Sequence, residues 1–538
     1  MTDAPSPATT SKQSMWLVMG ALMTCLMLSA LDQTIVSTAL PTIVGDLGGL
    51  DHIAWVVTSY LLSSTVAVPL FGKISDIYGR KPMIQITIVV FLAGSIFAGV
   101  AQSMLQLIIA RGIQGIGGGG ILAMTFTILG DIMTPRERSR YTGYFTAVFA
   151  SASVIGPLAG GFFVDHLSWR WVFFVNLPLG ALCMVVTGRY LHVPRPSERR
   201  AVDLVGAALL TVGVTAILLV ATWGGQDYAW SSPLIIGLAV GGVVTSVGFL
   251  IHERRIDEPI LPMHMFHNRI FVVCVAIVAL LSAVLVGGST FLPLFLQVVN
   301  GASATSSGLL LVPMMAGVVV GANVCGRIVN RTGRYRIFPI VGIGTATVGV
   351  AMLAMIEVDT ERLLISIGMG VLGLGAGSAM PIMTLAVQNT ASASDMGSAT
   401  SSVNFFRSLG AAFGVALFGT LMSTRLASTL ERRLPGSDLA DNDSLLSSPE
   451  RIRRLPRPQL DAVAEGVANG VGTVFLVAIP IVVVAFGVAW LLDEIPLRDD
   501  IDVGGAMVEG FEEANPHPHR LADMPLTAAP SPSITGEP

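Results

Sequence analysis

Apolar residues in this chain arrive in blocks of about 20, the length of helix that crosses the hydrocarbon core of a bilayer. Of the 538 residues, 52% are apolar and 12% charged. A soluble protein carries roughly a quarter charged residues, so most of this chain cannot face water. Length alone would suggest several soluble domains, and the hydropathy overrides that prior. The expected class is an all-α membrane protein. About fourteen spans are expected, near 16–40, 53–71, 83–101, 104–129, 142–164, 170–191, 204–222, 233–251, 270–298, 306–329, 337–356, 363–386, 398–423 and 468–492. Met1 to Ser14 is polar, and the block after it runs past signal-peptide length without a small-residue cleavage site, so it reads as an uncleaved first span.

Charge sets the expected orientation. Lys73, Arg80 and Lys81 follow the second span, Arg136, Arg138 and Arg140 the fourth, and Arg189, Arg195, Arg199 and Arg200 the sixth. Arg254 and Arg255 follow the eighth, and Arg327, Arg331, Arg334 and Arg336 the tenth. The intervening loops are short and poor in Arg, with Asp46, Asp51, Glu357, Asp359 and Glu361. The positive-inside rule therefore predicts a multi-pass protein of the cytoplasmic membrane with both termini cytoplasmic. Segment 424–466 departs from the pattern, because Arg432, Arg433, Arg451, Arg453, Arg454 and Arg457 stand among acids in near balance. It is expected to be an external, partly helical excursion. The acidic, Pro-rich tail 496–538 is expected to be disordered.

An internal repeat organises the spans. Gly72 to Lys81 (GKISDIYGRK) follows the second, and Gly326 to Tyr335 (GRIVNRTGRY) follows the tenth. The two copies lie eight spans apart rather than six. Two spans are thus expected between the halves: a tail 1–14, a six-helix bundle 15–200, two inserted helices 201–255, and a second six-helix bundle 256–495. Parallel halves of this kind place a central site between two bundles.

Asp32 sits well inside the first span. A carboxylate at membrane depth costs about 2.5–3.5 kcal/mol on insertion scales and needs a partner or a watery cavity. Arg111, inside the fourth span, is always charged and should point into the bundle. The two are expected to pair, and the pair to govern how readily the site takes a proton. Their second-half counterparts fall near Val284 and Met369, so the charged machinery belongs to the first half. Arg407 is the deep charge of the second half. The sequence leaves open whether it lines a cavity or bonds backbone carbonyls.

Other motifs are negative or structural. Gly115 to Gly120 matches GxGxxG, but it lies within a span, with no preceding strand, so no nucleotide site is expected; its glycines let helices approach closely. No GxxxxGK[ST], HExxH or GxSxG occurs, and the eight histidines show no ligand pattern. The four cysteines all lie in apolar blocks and form no CxxC, as small packing residues do. No enzyme chemistry, metal or cofactor is expected, and no basic cluster suits nucleic acid. Gly156 to Gly161 (GPLAGG) sits in the fifth span, where Pro157 removes a helix hydrogen bond. On physics alone, packing and a gating bend remain equal readings.

Taken together these residues resemble the major facilitator superfamily, in particular its fourteen-span drug–proton antiporters of the EmrB/QacA type, over about residues 15 to 495. Gly72 to Lys81 is similar to the family's motif A, with Gly72, Asp76, Gly79 and Arg80 in place. Leu107 to Gly120 is similar to motif B, centred on Arg111. Gly156, Pro157, Gly160 and Gly161 are similar to motif C, the mark of antiporters. Leu31 to Pro41 resembles the first-span motif, with Asp32 as its acid, and Ser168 to Gly180 is also similar to that branch. The second-half copy of motif A departs from the pattern, with Asn330 at the position of Asp76.

The resemblance implies proton-driven export of small amphipathic compounds or drugs, by a protein that acts as a monomer. It makes Asp32 and Arg111 the proton-coupling residues, and Asp76 a latch that bonds nearby helix ends and Arg groups in one state only. Gln114, Tyr60, Phe149, Asn404 and Arg407 are cavity candidates. For Trp55, Tyr60, Phe145, Phe149, Phe291, Phe295, Phe405 and Phe406 the sequence leaves cavity and lipid both open. A dedicated exporter of one native lipid, siderophore or antibiotic, and a proton-coupled importer, are the competing readings, since a fold does not specify a substrate.

Overall fold

The computed structural model describes residues 12–47, 53–191, 203–225, 228–256, 259–301, 311–392, 395–434 and 455–497. A segment in hydrocarbon can satisfy its N–H and C=O groups only internally, so the apolar blocks become helices. In chain order these are α1 (Lys12–Leu47), α2 (Ile53–Tyr78), α3 (Arg80–Gly99), α4 (Met104–Ile132) and α5 (Pro135–His166). There follow α6 (Trp171–Phe174), α7 (Asn176–Tyr190), α8 (Leu204–Trp223), α9 (Pro233–Glu253) and α10 (Arg269–Val298). The last five are α11 (Val312–Thr332), α12 (Ile337–Ala354), α13 (Arg362–Thr390), α14 (Met396–Arg433) and α15 (Arg457–Ala489). Short polar residues start several of them. Thr134 and Glu137 form a reciprocal capping box on α5, and Asp203, Ser232 and Asn268 accept backbone N–H groups at the starts of α8, α9 and α10.

Among the described residues, 13 segments are long and apolar enough to cross a membrane, α6 and α7 counting as one. The expected fifth span is α5. It packs against α1 and α11. In the expected sixth span α6 and α7 meet at Val175, which keeps helical dihedrals (φ −57°, ψ −25°). Pro178 has no N–H to offer the Phe174 carbonyl one turn back.

The ends of the last two spans also differ from expectation. Helix α14 runs to Arg433 and α15 begins at Arg457, so both penetrate the expected loop 424–466. An Arg433–Glu465 ion pair at 2.6 Å joins the two extensions. Arg and Glu are good helix formers, so leaving the apolar stretch does not end the helix. Residues 435–454 and the tail 498–538 lie outside the described residues, as do 302–310 at the start of the expected tenth span.

The repeat recurs in the packing. In the first bundle α4 lies against α2 and α3, and α1 against α5 and α7; in the second, α13 lies against α11 and α12, and α10 against α14 and α15. Gly79 (φ 94°) and Gly333 (φ 70°), which hold the same place in the two repeat loops, both take a positive φ that favours glycine, although only Gly333 is in the left-handed helical region. Helix α8 packs on α9 and touches α2 and α14, one helix from each bundle, while α9 packs chiefly on α8. Its outward residues Val240, Val243 and Val244 are exposed.

That exposure gives a test of the inserted pair. A nitroxide at Val244 should be relaxed strongly by oxygen, which concentrates in lipid, and weakly by a water-soluble nickel chelate. Protection from both would place α9 inside the protein, contrary to the packing described.

Candidate functional site

Asp32 and Arg111 meet as the sequence predicts. Arg111 Nη1 lies 2.5 Å from Asp32 Oδ2, and the side chains are 2% and 0% exposed respectively. Asp32 Oδ1 accepts from Gln114 Nε2 at 2.8 Å and from Asn176 Nδ2 at 3.2 Å, and both amides also donate to Ser95 Oγ. Arg111 further donates to Gln114 Oε1 at 2.6 Å and Val56 O at 3.3 Å, and its guanidinium stands 4.3 Å from the centre of the Tyr60 ring. Five helices, α1, α2, α3, α4 and α7, thus enclose a buried ion pair. Such a pair holds only because nearly every lone pair and N–H is answered, and removing one partner from a buried pair costs about 3–5 kcal/mol.

A cavity of about 480 Å³ lies between the bundles. Its walls come from α1, α2, α4 and α5 on one side and from α10, α11, α13 and α14 on the other. No residue of the inserted α8 or α9 lines it. Tyr60, Phe149, Asn404 and Arg407 line it as expected, and so does Phe145. Gln114 does not: it is fully buried, with its amide committed to Asp32, Arg111 and Ser95. Nor does Asp32 reach the cavity in this arrangement. The ring of Tyr60 stands between, with its hydroxyl 3.2 Å from Ser29 Oγ on the cavity wall. Of the other aromatic residues, Phe295 and Phe405 pack in the cores, and Trp55 stacks edge-on against Trp223 of α8.

The bundles are tied together at the arginine-rich end. Asp76 accepts from Gly397 N at 3.2 Å, Ser398 N at 3.1 Å and Ser398 Oγ at 3.0 Å, so an α2 carboxylate caps the N-terminus of α14. Arg80 pairs with Asp76 and, at 2.6 Å, with Asp131 of α4, and donates to Ser75 Oγ. Gly72 and Gly397 are where α2 and α14 cross: a Cβ on Gly397 would lie 2.7 Å from Gly72 O and 2.8 Å from Asp76 Oδ2. A second tie joins Arg138 of α5 to Gln388 of α13. At the opposite end, Asp46 of α1 accepts from Trp169 Nε1 and Arg170 Nη1. The indole hydrogen bond first, and the guanidinium second, hold its carboxyl below the usual carboxylate range.

The fifth-span motif divides. Gly156 and Gly160 bring α5 against Thr34, Ile35 and Thr38 of α1, one turn from Asp32, with no room for a Cβ. Gly161 has no neighbour at that distance, and the side chain of Pro157 lies outside the described residues. The GxGxxG glycines set α4 against Tyr60 and Ser64 of α2 and Phe91 and Thr87 of α3. Sequence reasoning missed Ser95, Asn176, Asp131, Gly397 and Gln388. Only Asn176 carried a signal, as the one amide inside the apolar run that opens the sixth span.

Gly397→Ala should weaken the α2–α14 crossing by about 1–3 kcal/mol, as overpacking does. Ser402, fully buried beside that crossing, reports it. In a background without the native cysteines, Ser402→Cys should react several-fold faster with a water-soluble maleimide when Gly397→Ala is added. Equal rates would show that the crossing tolerates a methyl group.

Three comparisons bear on this arrangement. The Major Facilitator Superfamily profile matches residues 22–415. The multidrug transporter protein MdtP of Bacillus subtilis is 40% identical over 420 residues, covering 78% of this chain and 77% of that protein. Multidrug resistance protein 3 of the same organism is 36% identical over 498 residues, covering 90% and 96%. In fold, the structure of the proton:xylose symporter XylE aligns with a TM-score of 0.60 at 14% identity, covering 90% of this chain and 96% of that one. With two six-helix bundles, two inserted helices and these relatives, the chain belongs to the Major Facilitator Superfamily of membrane transporters.

Proposed function

We propose that the chain is a proton-driven exporter of small amphipathic compounds across the cytoplasmic membrane, working as a monomer with both termini in the cytoplasm. The observation that carries the coupling is the buried Asp32–Arg111 pair, separated from the central cavity by the side chain of Tyr60. The names of the Bacillus relatives, a multidrug transporter and a multidrug resistance protein, support drug-like substrates, and the motif C glycines, packed on α1, accord with export. No nucleotide-binding motif is present in the sequence, so an ion gradient is the fitting energy source.

On this reading the tied arginine-rich end is cytoplasmic, and the cavity serves the outer face. A proton passing Tyr60 and Ser29 discharges Asp32 and cancels its pull on Arg111. The guanidinium keeps Gln114 Oε1, Val56 O and the Tyr60 ring. Asn176 Oδ1 is buried and, among the described residues, without a partner, so rotation of that amide would supply an acceptor for the new Asp32 hydroxyl. Helix α1 is then released to move against α4 and α7. Helix α5 follows, because Gly156 and Gly160 lock it to α1, and its other end carries the Arg138–Gln388 tie. Opening of that tie and of the Asp76 cap exposes the cavity to the cytoplasm. Each ligand, proton or substrate, shifts the balance by its differential affinity for the two states.

The test is transport in inverted vesicles with an imposed pH gradient, screened over amphipathic compounds. Asp32→Asn should abolish uphill export and also lower the melting temperature, because Arg111 is left buried and unpaired at a cost of about 3–5 kcal/mol. Asp32→Asn with Arg111→Gln should recover much of the stability and none of the coupling. Gradient-driven accumulation by the double variant at the wild-type level would sink the proton-site assignment. Asp76→Ala should cut turnover roughly 10- to 100-fold, the loss of charge-assisted bonds to a helix end, with substrate affinity little changed. A large affinity loss with intact turnover would count against the latch.

A further inference from the structure

We propose that Arg407 is the charge-recognition residue of the cavity, and that the cavity takes amphipathic anions: a carboxylate, sulfonate or phosphate on an apolar body. The proposal rests on reading the cavity as the substrate site and names the class of compound it accepts.

The charge inventory of the cavity is one-sided. Its lining contains two charged residues, Arg138 and Arg407, and no Asp or Glu. Arg138 is engaged at the closed end, where it donates to Gly130 O at 2.7 Å, to Met133 O at 3.0 Å and to Gln388. The acid nearest to function, Asp32, is fully buried behind Tyr60 and already neutralised by Arg111. Arg407 differs from each of these. Among the described residues its guanidinium has no hydrogen-bond or ion-pair partner, and it stands 5.9 Å from the centre of the Phe126 ring. The neighbouring amide, Asn404, is turned back onto its own helix, donating to Thr400 O.

An arginine cannot discharge itself to escape this situation. At membrane depth it is costly unless it faces a partner or water, and here it faces the cavity. The field it leaves in a low-dielectric chamber is positive, which attracts an anion and repels a lipophilic cation. Its planar fork matches a carboxylate or phosphate with two parallel hydrogen bonds. On α10, in the same half, Ser282 also borders the cavity; its Oγ is buried and, among the described residues, without a partner, so rotation about the Cα–Cβ bond would present a further donor. The rest of the wall suits the body of the molecule: Leu122, Phe149, Met315 and Met380 are apolar and adaptable. A ligand with one anionic group and a hydrophobic remainder answers every unsatisfied feature named here.

The experiment uses the full chain in nanodiscs and three probes with one aromatic body: 1-pyrenebutyrate, 1-pyrenebutanol and 1-pyrenebutylammonium. Binding is measured by equilibrium dialysis against empty nanodiscs, without any gradient. The wild type should prefer the carboxylate to the alcohol by tenfold or more, and the alcohol to the ammonium. Arg407→Gln should weaken the carboxylate by about 10- to 100-fold, the scale of a charge-assisted pair, and leave the alcohol within threefold. Arg407→Lys should fall between, because it keeps the charge and loses the fork. Absence of a carboxylate preference in the wild type, failure of all three probes to bind included, overturns the proposal. So does equal weakening of carboxylate and alcohol by Arg407→Gln, which would mark a structural arginine. Failure of proton coupling would appear in the vesicle assay and leave this order of binding intact, so the two readings fail separately.

Discussion

A charge inside hydrocarbon persists only where another part of the same protein or a watery cavity answers it, and that requirement places the functional groups of this chain. Asp32 and Arg111 answer each other, and Gln114, Asn176 and Ser95 occupy most of what remains of their hydrogen-bonding capacity. Five helices must converge for this to happen, so the pair also fixes the packing of the first bundle. The glycines of α4 follow from the same demand. They let α2 and α3 come close enough for Tyr60 to lie under the guanidinium and Ser95 to reach the amides.

At the arginine-rich end the answering groups come from different bundles. Asp76 finds the unpaired N–H groups at the start of α14, and Arg138 finds Gln388 on α13. These bonds are polar, local and few, so they can be exchanged for water when the bundles part, which an apolar seam of the same extent would resist. Helix α14 carries the capped end at Gly397 and Ser398 and, about 15 Å along its axis at 1.5 Å per residue, the cavity arginine Arg407. Helix α5 in turn runs from the Arg138 tie to the contact of Gly156 with α1 beside Asp32. One helix therefore links closure to the cavity, and another links closure to the buried acid.

Much of this was legible in the sequence for a plain reason. Apolar block length, the side on which Arg accumulates, and the GKISDIYGRK/GRIVNRTGRY repeat are local properties, and local properties decide that the chain is helical, spans a bilayer and folds as two related halves. The glycines at 79 and 333 share a positive φ, so the repeat keeps glycine where other residues would be strained. The Asp32–Arg111 pairing was legible because two isolated charges at depth leave each other as the obvious mates.

What the sequence by itself determined is the class of fold, the halves, and which residues are too costly to face lipid. Only the tertiary structure decided what each of those residues faces. Gln114 and Tyr60 are both polar groups within first-half spans, yet Gln114 lies wholly within the ion-pair network and Tyr60 forms the partition to the cavity. Asp76 and Gly397 are more than 300 residues apart, and neither reveals the other. Arg138 and Arg407 are both arginines on the cavity wall, one engaged and one without a hydrogen-bond or ion-pair partner among the described residues. A span's sequence sets the cost of burying a group, whereas the partner that offsets the cost comes from whichever helix packing brings alongside.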